Sequence, residues 1–276
     1  MKIVIYGLGI IGGSFAKAIK KYTDCYVVGI NRSRKPLEDA LACGAIDEIG
    51  NTEALCDADM LILGTFPGAM IKFIKDNAQL IPKKCIVTDS AGIKTDLCRE
   101  LTDVSKKYGF SFVGCHPMAG KEKNGFSASE ADLFVGASCV IVPCAADKSA
   151  VETVDKLMRK LRFGQIMYST PEEHDRIISF TSQLPHVIAC SYVMSPTCPK
   201  HMGFSAGSYR DVSRVANINE KLWAELFLEN REPLIKEIDI LTENLNSIKS
   251  AIQNGDREAL EELLAKSRRI KESLGE

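Results

Sequence analysis

The sequence is poor in the residues and patterns that build metal centres, disulfide scaffolds or nucleic-acid surfaces. Histidine occurs four times and tryptophan once in 276 residues. Ten cysteines are present, but none lies in a CxxC pair or at another metal-ligand spacing. The formal net charge is −1, and basic and aromatic residues do not cluster as in a nucleic-acid platform. We therefore expect no metal ion, no nucleic-acid partner, and cysteines that pack as small hydrophobic side chains.

Long hydrophobic runs are also missing. No stretch of about 18 uncharged apolar residues is present, so we expect no membrane span. The apolar start, Met1–Tyr6, is too short for the core of an export signal. Scattered cysteines without an export signal are typical of a reducing compartment, which predicts a cytoplasmic protein. The hydrophobic content of 45% suits a globular chain of one large or two moderate domains.

Short apolar runs alternate with helical patterns up to residue 168. The predicted strands, most of them rich in Val and Ile, are Ile3–Tyr6, Tyr26–Ile30, Met60–Gly64, Cys85–Asp89, Phe112–Cys115, Cys139–Pro143 and one near Gln165–Tyr168. The helical patterns between them include Ser14–Lys21, Lys35–Cys43, Ala69–Leu80 and Ala150–Leu161. Unbroken apolar strands that alternate with helices predict an α/β domain at residues 1–168, a doubly wound parallel sheet of the Rossmann type.

The pattern changes after Ser169, where helical periodicity continues without strands. The predicted helices are Glu172–Phe180, Pro185–Met194, Asn219–Gln253 and Asp256–Ser273. Pro233 is expected to kink or break the third of them. Residues 169–276 are therefore predicted to form a second, all-α domain.

A glycine-rich segment follows the first predicted strand and opens a helix. Gly7, Gly9 and Gly12 fit the dinucleotide-binding fingerprint, which needs a tight turn, a close approach of the backbone to the pyrophosphate and close packing of helix on strand. Ile10 and Ile11 begin the helix, whose N-terminus offers N–H groups to phosphate. The strand before and the helix after these glycines favour a cofactor site over an ordinary turn.

The residues after the second strand indicate which dinucleotide is bound. NAD-binding proteins usually have Asp or Glu there, to hold the ribose 2′-hydroxyl. This chain has the neutral Asn31, followed by Arg32 and Ser33, which could hold a 2′-phosphate by charge-assisted hydrogen bonds. We predict NADP rather than NAD, although an ordinary basic surface loop is the alternative. Thr65, after the strand Met60–Gly64, completes the predicted cofactor-binding set.

His116 is the best-placed residue for proton transfer. It directly follows the strand Phe112–Cys115 and precedes a proline, so it lies at the carboxyl end of a strand, the edge where open α/β sheets bind ligands. Ser90 follows the neighbouring strand and could orient an imidazole or a substrate, or simply cap a helix. His186 follows Pro185 at the predicted start of a helix, where exposed N–H groups would suit a substrate carboxylate.

Four motifs together identify the chain as similar to a known family. They are the glycine segment, His116–Gly120, Ser182–His186 and Gly207–Ala216, in this order. The sequence resembles the prephenate/arogenate dehydrogenase family of tyrosine biosynthesis over nearly its whole length. The resemblance implies a nucleotide-binding N-terminal domain and an all-helical C-terminal domain that forms a homodimer. It also implies oxidative decarboxylation, in which hydride leaves a ring carbon and the ring carboxylate leaves as carbon dioxide.

The resemblance assigns roles to individual residues. His116 would be the base that takes the proton of the ring hydroxyl, and Ser90 would be its hydrogen-bonding partner. Arg214 would bind a substrate carboxylate, although a charged helix face would also account for an arginine at this spacing. The further residues of the implied substrate site are His186, Glu122, Asp211 and Trp223.

Three alternatives stay open at this point. Arogenate carries an ammonium group that a carboxylate such as Glu122 would recognise. An NADP-dependent hydroxyacid dehydrogenase or imine reductase has a similar two-domain plan, but the former needs a catalytic lysine on a helix of the second domain, and no such motif is evident. A non-catalytic NADP-binding protein would be expected to have a damaged reaction site, whereas His116, Ser90 and Arg214 are all present.

Overall fold

One eight-stranded sheet occupies the first part of the chain in the computed structural model, which describes residues 1–121 and 123–275. Its strands are β1 Lys2–Tyr6, β2 Tyr26–Ile30, β3 Glu48–Ile49, β4 Met60–Leu63, β5 Ile86–Asp89, β6 Ser111–Pro117, β7 Ser138–Val142 and β8 Gln165–Tyr168. The helices between them are α1 Ile10–Tyr22, α2 Arg34–Ala42, α3 Pro67–Asn77, α4 Thr95–Tyr108 and α5 Lys148–Lys160. The prediction of a Rossmann-type α/β domain is confirmed, while β3 and α4 were not predicted.

The strand order places the carboxyl ends of β1 and β4 side by side. The sheet reads β3-β2-β1-β4-β5-β6-β7-β8, and β1 to β6 are all parallel. The connections leave β1 in opposite directions, so the crevice between β1 and β4 is the switch point of a doubly wound sheet. Ligands of such sheets bind in that crevice, which makes this edge a candidate cofactor site.

The last two strands depart from the predicted parallel sheet. β7 runs antiparallel to β6, and β8 runs parallel to β7. The described part of the connection from β6 to β7 contains only a short 3-10 turn at Phe126–Ala128 and no crossover helix, so the chain can return in the opposite direction. Because a buried strand shows the same apolar run in either direction, the sequence pattern could not distinguish the two arrangements.

The second part of the chain is helical, as predicted. Its helices are α6 Pro171–Ile178, α7 Leu184–Val193, α8 Gly207–Ser213, α9 Glu220–Glu229, α10 Arg231–Asn254 and α11 Arg257–Ser273. The break expected at Pro233 falls between α9 and α10, and Pro233 lies in the first turn of α10, where its missing N–H costs nothing. Asp256 caps α11 by accepting a hydrogen bond from Ala259 N. Within the described residues, no helix has the length and apolar character needed to span a membrane.

A buried ion pair connects the end of β5 to the start of α4. Lys94 Nζ lies 2.7 Å from Asp89 Oδ2, and both side chains have no exposed surface. Burial opposes the charge of Lys94, but the attraction of Asp89 outweighs it and raises the pKa of Lys94 above its ordinary value. Lys94 Nζ also donates to the carbonyl oxygens of Ala91 and Ile93. The positive charge of Lys94 is therefore balanced by the Asp89 carboxylate and by these two carbonyl oxygens.

Replacing Lys94 with methionine should destabilise the fold strongly. The change would leave the Asp89 carboxylate buried without its cation, and breaking a buried pair in this way typically costs about 3–5 kcal/mol. Urea unfolding followed by circular dichroism would measure the loss. The control is Lys72→Met, which removes an exposed pair with Asp76 and should change the free energy of unfolding by less than about 1 kcal/mol. Equal effects of the two substitutions would contradict a structural role of the buried pair.

Candidate active site

The glycine segment forms the tight turn that the sequence predicts. Gly7 has a φ of +94°, a conformation that residues with a Cβ rarely adopt. A Cβ on Gly12 would overlap the carbonyl oxygen of Gly7, whereas a Cβ on Gly9 would meet nothing within 4 Å. Gly12 is therefore required by the packing of the turn itself. The open space at Gly9 is the kind of cradle that a close-lying pyrophosphate would fill.

The predicted cofactor residues gather around this turn. Asn31 Oδ1 accepts a hydrogen bond from Leu8 N, and its amide donates to the carbonyl oxygen of Ser33. The side chain of Thr65 lies against Gly7 from the neighbouring strand end. Arg32 is exposed, and its charge partly offsets the burial that raises the pKa of Tyr6, at the end of β1. These residues could hold a dinucleotide at this turn.

His116 lies on β6 beyond the point where that strand changes its neighbour. β6 pairs with β5 from Ser111 to Val113 and with β7 from Gly114 to Pro117. The ladder between β5 and β6 therefore ends before His116, although Asp89 Oδ1 still holds the two strands together by accepting from Cys115 N at 2.9 Å. The separation of the strand ends opens the edge of the sheet beside the imidazole.

A hydrogen bond to a second histidine fixes the His116 ring. His116 Nδ1 lies 2.8 Å from His174 Nε2, and His174 Nδ1 lies 2.7 Å from Asp175 Oδ1. The pKa of His116 is held well below its ordinary value of 6.5, first by burial and then by the nearby His174 and Lys94. His116 is therefore a neutral imidazole at neutral pH, the form that can accept a proton.

Ser90 lies in the same cavity but has a different partner from the one predicted. Its hydroxyl donates to the carbonyl oxygen of Leu63 at 3.1 Å, and the ring nitrogen Nδ1 of His116 is bonded to His174 instead. The reason is geometric, since Ser90 follows β5 and lies next to the end of β4, within reach of its last carbonyl. The expected hydrogen bond between Ser90 and His116 is thus replaced by one that connects two domains.

One cavity of about 440 Å³ brings most of the predicted substrate residues together. Of the predicted site residues, Ile10, Ile11, Ser90, His116, His186, Arg214 and Trp223 line it. Its described lining includes the cationic residues Lys121, Lys123 and Arg214 and no Asp or Glu. Lys121 is paired with Glu130 at 2.5 Å, and with Lys123 and Arg214 the described lining still carries more positive than negative charge, which suits an anion.

His186 is positioned differently from the prediction. The chain does not begin a new helix before it, because α6 continues through a π-helical turn at Ser179–Gln183 directly into α7. His186 therefore lies inside a continuous helix, and its Nδ1–H donates to the carbonyl oxygen of Ser182 at 2.7 Å. Its ring stacks on Trp223 with centroids 3.6 Å apart. Ring stacking and this bond, rather than exposed N–H groups, orient His186 toward the cavity.

For two other predicted residues, the structure does not show a place in the cavity. Asp211 lies on α8 with its carboxylate next to Gly207, and it is not among the described residues that line the cavity. Glu122 lies outside the described residues. The cavity also contains polar residues that the sequence reasoning did not propose for it, including Gln183, Asn217 and Asn219.

The fold and the cavity together are typical of one class of protein. A neutral histidine lies at the strand edge of a Rossmann-type sheet, beside a glycine turn with room for a dinucleotide and a cavity lined by positive charge. This combination is typical of dehydrogenases that use a nicotinamide cofactor and an anionic substrate.

Comparison with known proteins identifies the family. Residues 15–166 match the prephenate dehydrogenase nucleotide-binding domain, and residues 170–266 match the prephenate dehydrogenase dimerization domain. The chain belongs to the prephenate dehydrogenase family. It is therefore an oxidoreductase with a nucleotide-binding domain for a nicotinamide cofactor, and the resemblance stated from the sequence motifs is confirmed.

Individual relatives cover almost the whole chain. A cyclohexadienyl dehydrogenase from Zymomonas mobilis is 30% identical over 283 residues, covering 99% of this chain and 95% of the relative. A prephenate dehydrogenase from Bacillus subtilis is 29% identical over 268 residues, covering 94% of this chain and 72% of the relative. The crystal structure of a prephenate dehydrogenase from A. aeolicus, in complex with hydroxyphenyl propionate and NAD+, superposes with a TM-score of 0.86 at 26% identity, covering 99% of this chain and 98% of that one.

Alanine at Gly12 and alanine at Gly9 should have different effects. Gly12→Ala places a methyl group on backbone atoms of the turn, so we expect a lower melting temperature from a strain cost of about 1–3 kcal/mol. Gly9→Ala meets no protein atom and should leave the melting temperature unchanged, while it weakens dinucleotide binding by filling the cradle. Thermal unfolding and calorimetric titration with NADP and NAD would separate the two effects. Unchanged cofactor affinity in Gly9→Ala would contradict a dinucleotide at this turn.

Proposed function

We propose that the protein catalyses the NADP-dependent oxidative decarboxylation of prephenate to 4-hydroxyphenylpyruvate, a step of tyrosine biosynthesis. The observation that carries the proposal is the position of a neutral His116 at the edge of a cavity lined by Lys121, Lys123 and Arg214. Prephenate is a dianion with a ring hydroxyl, so it needs both an acceptor for the hydroxyl proton and cationic groups for its carboxylates.

The reaction needs a base within reach of the ring hydroxyl. As hydride leaves the ring carbon that bears the hydroxyl, His116 accepts the hydroxyl proton through its ring nitrogen Nε2, and the oxygen becomes a carbonyl that draws the electrons of the departing carboxylate into the ring. Carbon dioxide leaves, the ring becomes aromatic, and the phenolate oxygen takes the proton back from His116. The nicotinamide of the bound cofactor supplies the hydride acceptor. General-base catalysis of this kind typically contributes about 10²–10⁴-fold.

The residues around His116 suit the two ends of the substrate. Arg214 can bind a carboxylate with two parallel hydrogen bonds, and the His186 ring, stacked on Trp223, gives the cavity a flat wall for the substrate ring. Ser90 lies on the same cavity with a hydroxyl that can hydrogen-bond to the substrate. Arogenate is the alternative substrate, whose ammonium group a carboxylate such as Glu122 would recognise.

NADP is the proposed cofactor. Gly7 to Gly12 would hold the pyrophosphate, and Thr65 lies beside that turn. Asn31 provides an amide where a carboxylate would repel a 2′-phosphate, and the exposed Arg32 and Ser33 can bind that phosphate. The neutral tip of β2 is the feature that supports NADP over NAD.

We also propose that two copies of the chain associate through the helical domain, with the domain boundary between residues 168 and 169. The match to a dimerization domain at residues 170–266 supports this arrangement. So do large apolar side chains that are more than half exposed in this part of the chain, among them Met194, Met202, Phe204, Leu228 and Ile252. A dimer would bury such residues.

A spectrophotometric panel tests the reaction. Each of prephenate and arogenate is combined with NADP or NAD, and formation of the reduced cofactor is followed by its absorbance. We expect turnover with prephenate and NADP, and a loss of about 10²–10⁴-fold in kcat for His116→Asn. The control is His201→Asn, the same change at a histidine outside the cavity. Turnover with arogenate but not with prephenate would show that arogenate is the substrate. No turnover with either compound would refute the proposed reaction.

The choice of cofactor has its own test. Arg32→Ala should raise the Kd for NADP by at least about tenfold, because a charge-assisted bond to the phosphate contributes roughly 1.5–3 kcal/mol, and should leave the Kd for NAD almost unchanged. Arg34→Ala, at the neighbouring arginine that pairs with Glu38, is the matched control and should affect neither. Equal losses for both cofactors in Arg32→Ala would show that Arg32 does not read the 2′-phosphate.

A further inference from the structure

A second histidine separates His116 from a buried carboxylate. His174 is buried on α6, and its two ring nitrogens have different partners, His116 Nδ1 at 2.8 Å and Asp175 Oδ1 at 2.7 Å. Neither His174 nor Asp175 is among the residues that line the cavity. The pair therefore contacts the proposed base from behind, where it cannot touch a substrate.

The hydrogen bonds of Asp175 fix where the protons of this chain lie. Burial alone would raise the pKa of Asp175, but hydrogen bonds from His174 and Thr95 hold that pKa below its ordinary value. Its Oδ1 accepts from Lys94 N and its Oδ2 from Thr95 N, at 2.8 and 2.7 Å. An ionised carboxylate can only accept, so His174 Nδ1 must carry a proton and donate it to Asp175.

The proton on His174 in turn fixes the tautomer of His116. Burial lowers the pKa of His174 below its ordinary value, so at neutral pH its ring has one proton, on Nδ1, and its Nε2 is an acceptor. His116 Nδ1 must then be the donor of the 2.8 Å bond. The remaining nitrogen of His116, Nε2, has a free lone pair, and it lies near Gly92, which lines the cavity. Only this tautomer can take a proton from a substrate there.

We propose that His174 is a positioning residue for His116, which it holds in the Nδ1–H tautomer with Nε2 facing the substrate while it connects the base to the charge of Asp175. The inference rests on the proposed function of His116 as the base. When His116 accepts a proton at Nε2, it becomes a cation, and its Nδ1–H bond to His174 strengthens. The Asp175 carboxylate stabilises that cation through the ring of His174. This stabilisation does not require a proton to move along the hydrogen bonds between the three residues.

The arrangement also makes the base depend on contact between the domains. His116 belongs to the sheet, whereas His174 and Asp175 belong to the first helix of the second domain. Asp175 is fixed at the start of α4 by two backbone N–H groups, and its carbonyl oxygen accepts from the side chain of Asn230 at 3.0 Å. The other charged groups near His174 are Lys94 and Asp89, which neutralise each other. A shift between the domains would release His116 from its tautomer.

Two substitutions at His174 separate its two bonds. In His174→Gln the side-chain amide lies near the former Nε2 and can still accept from His116. In His174→Asn it lies near the former Nδ1 and can still bond Asp175, but it no longer reaches His116. We expect kcat to fall by at least about tenfold in His174→Asn, within the range of about 10²–10⁴ for loss of the base itself, with KM changed less than about twofold because no substrate contact is lost. The Gln variant should recover part of the kcat, because it restores the acceptor for His116 but not the connection to Asp175.

The matched control is Glu172→Gln, an exposed position on the same helix turn, which should keep the wild-type kcat and KM. Wild-type kcat in His174→Asn would overturn the proposal, and so would a Gln variant as impaired as the Asn variant.

A spectroscopic measurement tests the inference without turnover. Selective ¹⁵N labelling of histidine gives few signals, because the chain has four histidines, and each tautomer has characteristic ring nitrogen shifts. We expect His116 to be the Nδ1–H tautomer in the wild type and in His174→Gln, and to shift toward the Nε2–H tautomer in His174→Asn. A wild-type His116 with its proton on Nε2 would overturn the proposal even if the variants fail to fold. Wild-type protein that turns over neither prephenate nor arogenate would instead refute the proposed function, and the tautomer of His116 would still decide the inference.

Discussion

The carboxylate of Asp89 is the point on which the fold and the site both depend. Its two oxygens accept from Cys115 N, Ala91 N and Lys94 Nζ, all without contact with water. A buried charge is tolerated only when its hydrogen bonds and its counter-charge are complete. Because these donors come from β6 and from the start of α4, satisfying one carboxylate also fixes the strand that carries His116 and the helix that receives the second domain.

The start of α4 transmits this order to the helical domain. The N–H groups of Lys94 and Thr95 are unpaired within α4, as at every helix N-terminus, and Asp175 accepts from both. The positive end of the helix dipole favours a carboxylate at this position. The same contact that joins the two domains therefore supplies the charge next to His174. The hydrogen bonds of Asp175 on α6 therefore hold the two domains together and also orient the proposed base. This explains why Asp175 affects His116 on β6.

Much of the site was predictable from local patterns. The glycine turn and the position of His116 at a strand end follow from residues that are adjacent in the sequence, and the structure has both. The role of His174 was not predictable, because its bond to His116 joins residues 58 positions apart and exists only when the domains are in contact. The direction of β7 and the continuous helix through Ser182 also depend on packing rather than on a local signal, since an apolar run or a proline is compatible with either arrangement.

The charges around His116 suggest how binding and catalysis are coupled. Burial and the nearby Lys94 keep the pKa of His116 low in the free protein, which ensures a neutral acceptor but also a weak base. A dianionic substrate brings negative charge next to the imidazole, and a nearby negative charge raises the proton affinity of a histidine. On the proposed function, the base therefore becomes stronger as the substrate binds, while Arg214, which lines the same cavity, binds a substrate carboxylate. Asp175 acts in the same direction from the other side of His174, so the proton that leaves the ring hydroxyl enters an imidazole stabilised from both sides.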